Sequence, residues 1–165
     1  TQRGPVVGGK GRTTDAGTHV PLIVRWPGRL PKGTTSDYLT GLEDWVPTLL
    51  DLIGEKKAAP ENIDGLSIAD VLRGRKQNPR SFLYREFSGY GGQQAVWAGR
   101  WKAVRQNILR KNKKQPLRIQ LYDLKTDISE SNDVAADNPD VVASMRKIMT
   151  REHTPSKFYP IKPLD

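Results

Sequence analysis

The sequence predicts a mixed fold in two parts. Residues 1–79 form an α/β portion, and residues 80–165 form a small α+β subdomain with a four-stranded antiparallel sheet and a covering helix. Three observations predict this. The apolar, β-branched run VPLIVRW (residues 20–26) follows a glycine-dense loop and stops at Pro27-Gly28, as a short buried strand would. The apolar period changes from helix-like to strand-like after Pro79. A segment opening at Pro139 then places Val141, Val142, Met145, Ile148 and Met149 on one side of a helix.

Taken in order, residues 1–7 lead into the loop GGKGRTTDAGT (residues 8–18), which carries Lys10 between glycines. Glycine allows positive φ and close approach to a ligand, and a loop fixed beside a core strand can place a side chain in a crevice at a sheet edge. The spacing Gly4-x-x-x-x-Gly9-Lys10-Gly11 approaches a phosphate-binding P-loop. It lacks the Ser/Thr after the lysine, and no amphipathic helix follows, which argues against nucleotide binding.

Residues 45–53 read as a helix capped by Asp44, with Pro47 in its first turn, Leu49, Leu50, Leu52 and Ile53 as its buried stripe, and Gly54 at C′. A polar linker (55–62) and an Asp64-Gly65 turn precede a short helix with Ser67 as N-cap and Gly74 past its end. Strands are expected at 82–87, 94–98, 101–108 and 118–124, with Ala98-Gly99-Arg100 as a tight hairpin connection. Asn138 is expected to cap the final helix.

The chain of 165 residues has 27 Lys and Arg against 18 Asp and Glu, a formal charge of +9. Much of the excess lies between Arg100 and Arg118, where Arg100, Lys102, Arg105, Arg110, Lys111, Lys113, Lys114 and Arg118 occur with no acid. Such a cluster is either a solvated hairpin or a polyanion site. Cysteine is absent, which excludes disulfides, thiolate metal sites and a thiol nucleophile from these residues. No apolar run approaches the ~20 residues of a membrane span.

The loop FSGYGGQQ (residues 87–94) combines aromatic faces, amides and glycines, which suits ligand contact as well as an ordinary hairpin. His19 and His153 have no second titratable partner at a metal or catalytic spacing, and read as structural. Trp97, Trp101, Tyr84 and Phe87 read as packing residues.

The run GGKGRTTDAGTHVPLIVRWPGRLPKG, followed by EDWVPTLLDLIG, DGLSIADVLRG, WAGRWKAVR and LYDLKTDISESNDVAADNP, resembles the C-terminal portion of a sulfatase of the arylsulfatase type. The resemblance implies the end of the large α/β sulfatase domain over residues 1–79 and the small subdomain over 80–165. It implies hydrolysis of aryl or carbohydrate sulfate esters, with Lys10 as the substrate-binding lysine, and a periplasmic or extracellular enzyme.

It also implies a formylglycine made in a Cys/Ser-x-Pro-x-Arg motif and a Ca²⁺ held by acidic and amide side chains. No serine here begins that motif, so no catalytic or metal-binding residue is expected within the chain. The formylglycine, the Ca²⁺ ligands and any export signal belong to a missing N-terminal portion, and the 165 residues alone are expected to be inactive.

Two departures from the family pattern stand out. Asp15-Ala16-Gly17 replaces Glu-Gly-Gly, and Trp97 stands where arginine is common. The expected partners are a sulfated small molecule or glycan and the missing portion, with no membrane and no nucleic acid. The alternative is a stand-alone basic module in which the 100–118 cluster binds nucleic acid or a sulfated glycan.

Overall fold

The computed structural model describes residue 6, residues 8–110 and residues 117–165. Two compact units result: one joins the described residues up to Val20 with those from Tyr84 onward, and the other spans Pro21–Leu83.

The larger unit is organised by strands β1 (Leu83–Phe87), β2 (Gln93–Ala98), β3 (Trp101–Gln106) and β4 (Gln120–Asp123) in the order β1-β2-β3-β4. The sheet is antiparallel, as the sequence predicts. In the β2–β3 pair Ala98 faces Trp101 across a Gly99-Arg100 turn, with Gly99 at φ 58°, a conformation that favours glycine. The fourth strand follows in register, with Lys102 opposite Tyr122 and Ala103 opposite Leu121.

Side chains alternate between the two faces of a strand, and here both faces are covered. Gln94, Val96, Ala103, Arg105 and Leu121 share one face, where helix α4 (Pro139–Glu152) packs with Met145 and Met149 buried. Gln93, Ala95, Trp97, Lys102 and Val104 share the other, beneath the segment around Thr13 and the one-turn helix α1 (Asp15–Thr18). Residues 93–97 and 102–105 are therefore all buried.

At the end of α4, His153 Nδ1 lies 2.8 Å from Glu86 Oε2, and its Nε2 lies 3.0 Å from Asp165 Oδ1. Glu86 also accepts a hydrogen bond from the Tyr84 hydroxyl, which in turn accepts one from Gln94 Nε2 at 2.7 Å. Asn138 takes the N-cap position as expected, with Pro139 next, but its side chain makes no capping hydrogen bond; its amide nitrogen donates to the Val134 carbonyl at 2.9 Å.

In the smaller unit, helix α2 (Trp45–Leu52) follows a 3-10 turn (Leu42–Asp44), and Gly54 ends it at φ 89°. The expected apolar stripe is corrected. Leu49 and Ile53 are 52% and 61% exposed, whereas Asp44 and Thr48 are buried at 1% and 0%. The inward face is polar because it serves backbone donors. Asp44 accepts from Gly41 N and Leu66 N, both at 2.8 Å, from Thr40 Oγ1 and from Arg80. Its carboxylate thus caps the 3-10 turn rather than α2. Thr48 Oγ1 donates to the Asp44 carbonyl and accepts from Ile68 N at 3.0 Å.

Helix α3 (Ala69–Leu72) starts later than expected, with Ile68 at the N-cap position. Ser67 Oγ still accepts from Ala69 N at 3.2 Å, and Gly74 follows the helix at φ 72°.

Residues 20–26 correct a second expectation. They form neither strand nor helix, and Val20, Leu22 and Ile23 are 65%, 46% and 91% exposed. Among the described residues no strand pairs with this run, so its apolar side chains have nothing to pack against in a ladder.

Candidate functional site

Lys10 is exposed in a turn closed by a hydrogen bond from Arg12 N to the Gly9 carbonyl (3.1 Å). The turn depends on glycine at specific places. Gly11 has φ 80°, and a Cβ there would run into the Tyr90 ring. Gly17 lies against the Arg12 and Gly9 carbonyls, leaving no room for a side chain. The two loops singled out in the sequence, 8–18 and 87–94, are therefore packed together, and Tyr90, 63% exposed, stands beside the lysine turn.

Gln93, the first residue of β2, ties the loops together. Its amide nitrogen donates to the Gly11 carbonyl at 2.9 Å and to the Gly89 carbonyl at 3.4 Å, and its oxygen accepts from Thr13 N at 3.2 Å. A buried side-chain amide that satisfies both strangers' backbones fixes their spacing.

A second anchor lies under Asp15. Lys102 Nζ, fully buried, donates to Asp15 Oδ1 at 2.6 Å and to Glu130 Oε1 at 2.5 Å, and sits 4.4 Å from the centre of the Trp97 ring. Glu130 Oε1 also accepts from Asp15 N at 2.8 Å, and Trp97 Nε1 donates to Asp15 Oδ1 at 3.3 Å. Trp97 thus serves Asp15 through its ring nitrogen as well as lying over the Lys102 ammonium.

Burial favours the neutral form of both carboxylic acids, but the outcomes differ. For Asp15 the Lys102 charge, with the hydrogen bonds from Lys102 and Trp97, overcomes burial and holds the acid below the ordinary carboxylate range. Burial and the neighbouring Asp15 charge instead push Glu130 up, against the pull of Lys102. A single ammonium compensates one buried carboxylate better than two. Glu130 Oε2 has no hydrogen-bond partner.

The loop carrying Glu130 is itself pinned by Asp127. That carboxylate is held down to about 2, most of all by the Asn132 backbone N–H and, against the cost of burial, by Ser129 and Ser131.

The described members of the basic cluster do not form a single surface. Lys102 and Arg105 are buried, Arg100 pairs with Asp123, and Arg118 pairs with Asp133. Lys111, Lys113 and Lys114 lie outside the described residues, as do residues 1–5 and 7.

Sequence reasoning missed Lys102, Glu130 and Gln93 as determinants of the lysine turn. Strand alternation held the signal for two of them. In QQAVWAGRWKAVRQ a two-residue turn puts Trp97 opposite Lys102 and Gln93 opposite Gln106 on a face otherwise filled by Ala95 and Val104. Glu130 gave no signal in a run of polar loop residues.

Among the described residues no group of three or more His, Asp or Glu side chains is arranged to hold a metal ion. Asp15 and Glu130 are already taken up by Lys102. The described residues do not fit the Ca²⁺ implied by the resemblance. No helix is long and apolar enough to cross a membrane among the residues described.

Comparison with known proteins finds this architecture in parts of proteins named as sulfatases. Rat (Rattus norvegicus) arylsulfatase G is 36% identical over 98 residues, covering 57% of this chain and 19% of that protein. The N-acetylgalactosamine-6-O-sulfatase of Bacteroides thetaiotaomicron is 28% identical over 162 residues, covering 90% of this chain and 30% of that one. A solved Bacteroides thetaiotaomicron structure, described under the metabolism of multiple glycosaminoglycans, superposes with a TM-score of 0.74 at 26% identity. It covers 90% of this chain and 32% of the other.

The structure of Ps i-CgsB in complex with k-i-k-neocarrahexaose gives a TM-score of 0.70 at 26% identity, over 91% of this chain and 32% of its own. The family described as N-sulphoglucosamine sulphohydrolase, C-terminal, matches residues 10–154. The chain belongs to that family, and it spans a fifth to a third of the length of the relatives just named.

Proposed function

We propose that this chain is the C-terminal part of a sulfatase acting on a carbohydrate or aryl sulfate ester, and that Lys10 binds the sulfate group. The single observation that carries the reading is the mounting of Lys10. It is an exposed ammonium on a glycine turn whose base is fixed by buried side chains of the sheet.

A sulfate ester holds negative charge on its non-bridging oxygens while the S–O bond to the alcohol breaks. A compact cation with three donors can meet that charge where glycines let the backbone come close. Relatives named for N-acetylgalactosamine-6-sulfate chemistry and a neighbour bound to a carrageenan hexaose support a sulfated saccharide as substrate. Tyr90, beside Gly11, offers a face for the sugar or aryl group.

The nucleophile, formylglycine in this reading, and the Ca²⁺ ligands lie in a preceding portion of the protein, so the 165 residues alone are inactive. An exposed apolar line supports a covering partner of that kind. Leu42, Val46, Leu49 and Ile53 repeat at intervals of four, three and four residues, all at least 50% exposed. Among the described residues less supports the rival reading, a free-standing polyanion module, because Lys102 and Arg105 are buried and Arg100 and Arg118 are paired.

The test is Lys10→Ala in the full-length enzyme with the fold verified independently. Catalytic efficiency should fall ~10²–10³-fold, as when an oxyanion donor is removed. A value within about threefold of wild type, less than ~1 kcal/mol of transition-state stabilisation, would refute the role of Lys10.

A further inference from the structure

The sheet places a fully buried lysine under the lysine turn, and the cost of that arrangement asks for an explanation. Lys102 is 0% exposed, with Asp15 and Glu130 at 6% and 7%. Three ionisable side chains have been taken out of water together. Buried ion clusters seldom add net stability over well-packed apolar side chains of similar size; their best-supported use is to select one arrangement among several. The arrangement selected here is that of the turn. Asp15 is attached at both ends, its carboxylate to Lys102 and Trp97 and its backbone N–H to Glu130. Its carbonyl accepts from His19 N at 2.7 Å, closing α1, and two residues further on Gly17 touches the Gly9 and Arg12 carbonyls that define the turn.

We propose that Lys102 is a positioning residue. Held between Asp15 and Glu130, it fixes the backbone from Gly9 to Gly17 and thereby the point from which Lys10 projects. This rests on the reading of Lys10 as the sulfate-binding residue, and it adds a mechanism by which strand β3 acts on that site without touching the substrate. Misplacement of a catalytic contact by about 1 Å can cost ~10²-fold in rate.

The test compares Lys102→Met, Asp15→Asn and Glu130→Gln in the full-length protein, following hydrogen exchange and steady-state kinetics with a sulfate ester. In Asp15→Asn, amides of residues 9–14 should exchange at least ~10-fold faster while those of Ala103 and Val104 keep the wild-type rate. The kcat should fall ~10–100-fold with KM little changed. Glu130→Gln keeps the shape and the acceptor for Asp15 N, and should stay close to wild type in both measurements. Lys102→Met should behave like Asp15→Asn; if it fails to accumulate as folded protein, Asp15→Asn carries the test.

Wild-type exchange of residues 9–14 in a folded Asp15→Asn variant overturns the proposal. So does equal acceleration in the turn and in β3, which makes the cluster a general stabiliser. Lys10→Ala, assayed in parallel, separates the two ideas. If it leaves the rate intact while Asp15→Asn still loosens the turn, the sulfate role of Lys10 falls and the anchor stands.

Discussion

His153 carries a charge that depends on its two acidic neighbours. Burial alone would discharge the ring, but hydrogen bonds and negative charge from Glu86 and Asp165 outweigh it and raise the ring above its ordinary 6.5. The protonated form is thus favoured in the folded chain. Its contribution to stability is complete below about pH 6.5 and is lost as pH rises through the elevated folded value. Thermal unfolding at a series of pH values should show the midpoint declining across that interval. In His153→Gln the decline should flatten, and an identical slope in both proteins would rule out this residue as its source. Asp127 acts at the other end of the scale. With its carboxyl held near 2, its contribution is present above the ordinary 3.8 and is lost as pH falls through about 2. Acid should therefore loosen the 127–132 loop, and with it Glu130.

Helix α2 departs from the usual pattern of a surface helix, burying Thr48 beside Pro47 and leaving an apolar line outside. Thr48→Val removes the acceptor for Ile68 N and should destabilise the smaller unit by about 1–3 kcal/mol, the cost of an unsatisfied buried donor. Leu49→Gln, on the exposed side, should change it by less than about 0.5 kcal/mol. Denaturant unfolding of the two variants, at a protein concentration low enough that the chain is monomeric, checks the contrast, and a larger loss from Leu49→Gln would overturn it.

The same helix shows what sequence can and cannot tell. Its limits, Pro47 and Gly54 were legible because caps, proline and positive-φ glycine act locally. The four strands and α4 were legible because their period is their own. Which side of α2 is buried was not, since Asp44 and Thr48 face inward to serve Gly41, Leu66 and Ile68. Residues 20–26 have the composition of a strand, but a ladder needs a neighbour. The lysine turn is visible from its glycines, whereas the partner of Lys102 is not, because nothing local marks a residue as paired with another 87 positions away.

For the molecule as a whole, the exposed apolar line of α2 and the exposed residues Val20 and Ile23 predict self-association of the isolated chain. The purified 165 residues should elute as oligomers, bind a hydrophobic dye and turn over no aryl sulfate. A monodisperse monomer without dye binding would contradict the first expectation, and turnover that survives rigorous removal of contaminants the second.

The anchors of the lysine turn also impose an order on assembly. Thr13 meets Gln93 across 80 positions, and Asp15 meets Lys102 across 87 and Glu130 across 115. Contacts that distant form late, because the long loops between them must close first. On a ribosome the turn emerges well before any of its three supports has been made. The segment that carries Lys10 is then among the last to take shape, and a chain cut short before residue 130 would present Lys10 on an unfastened loop however well its other elements had folded.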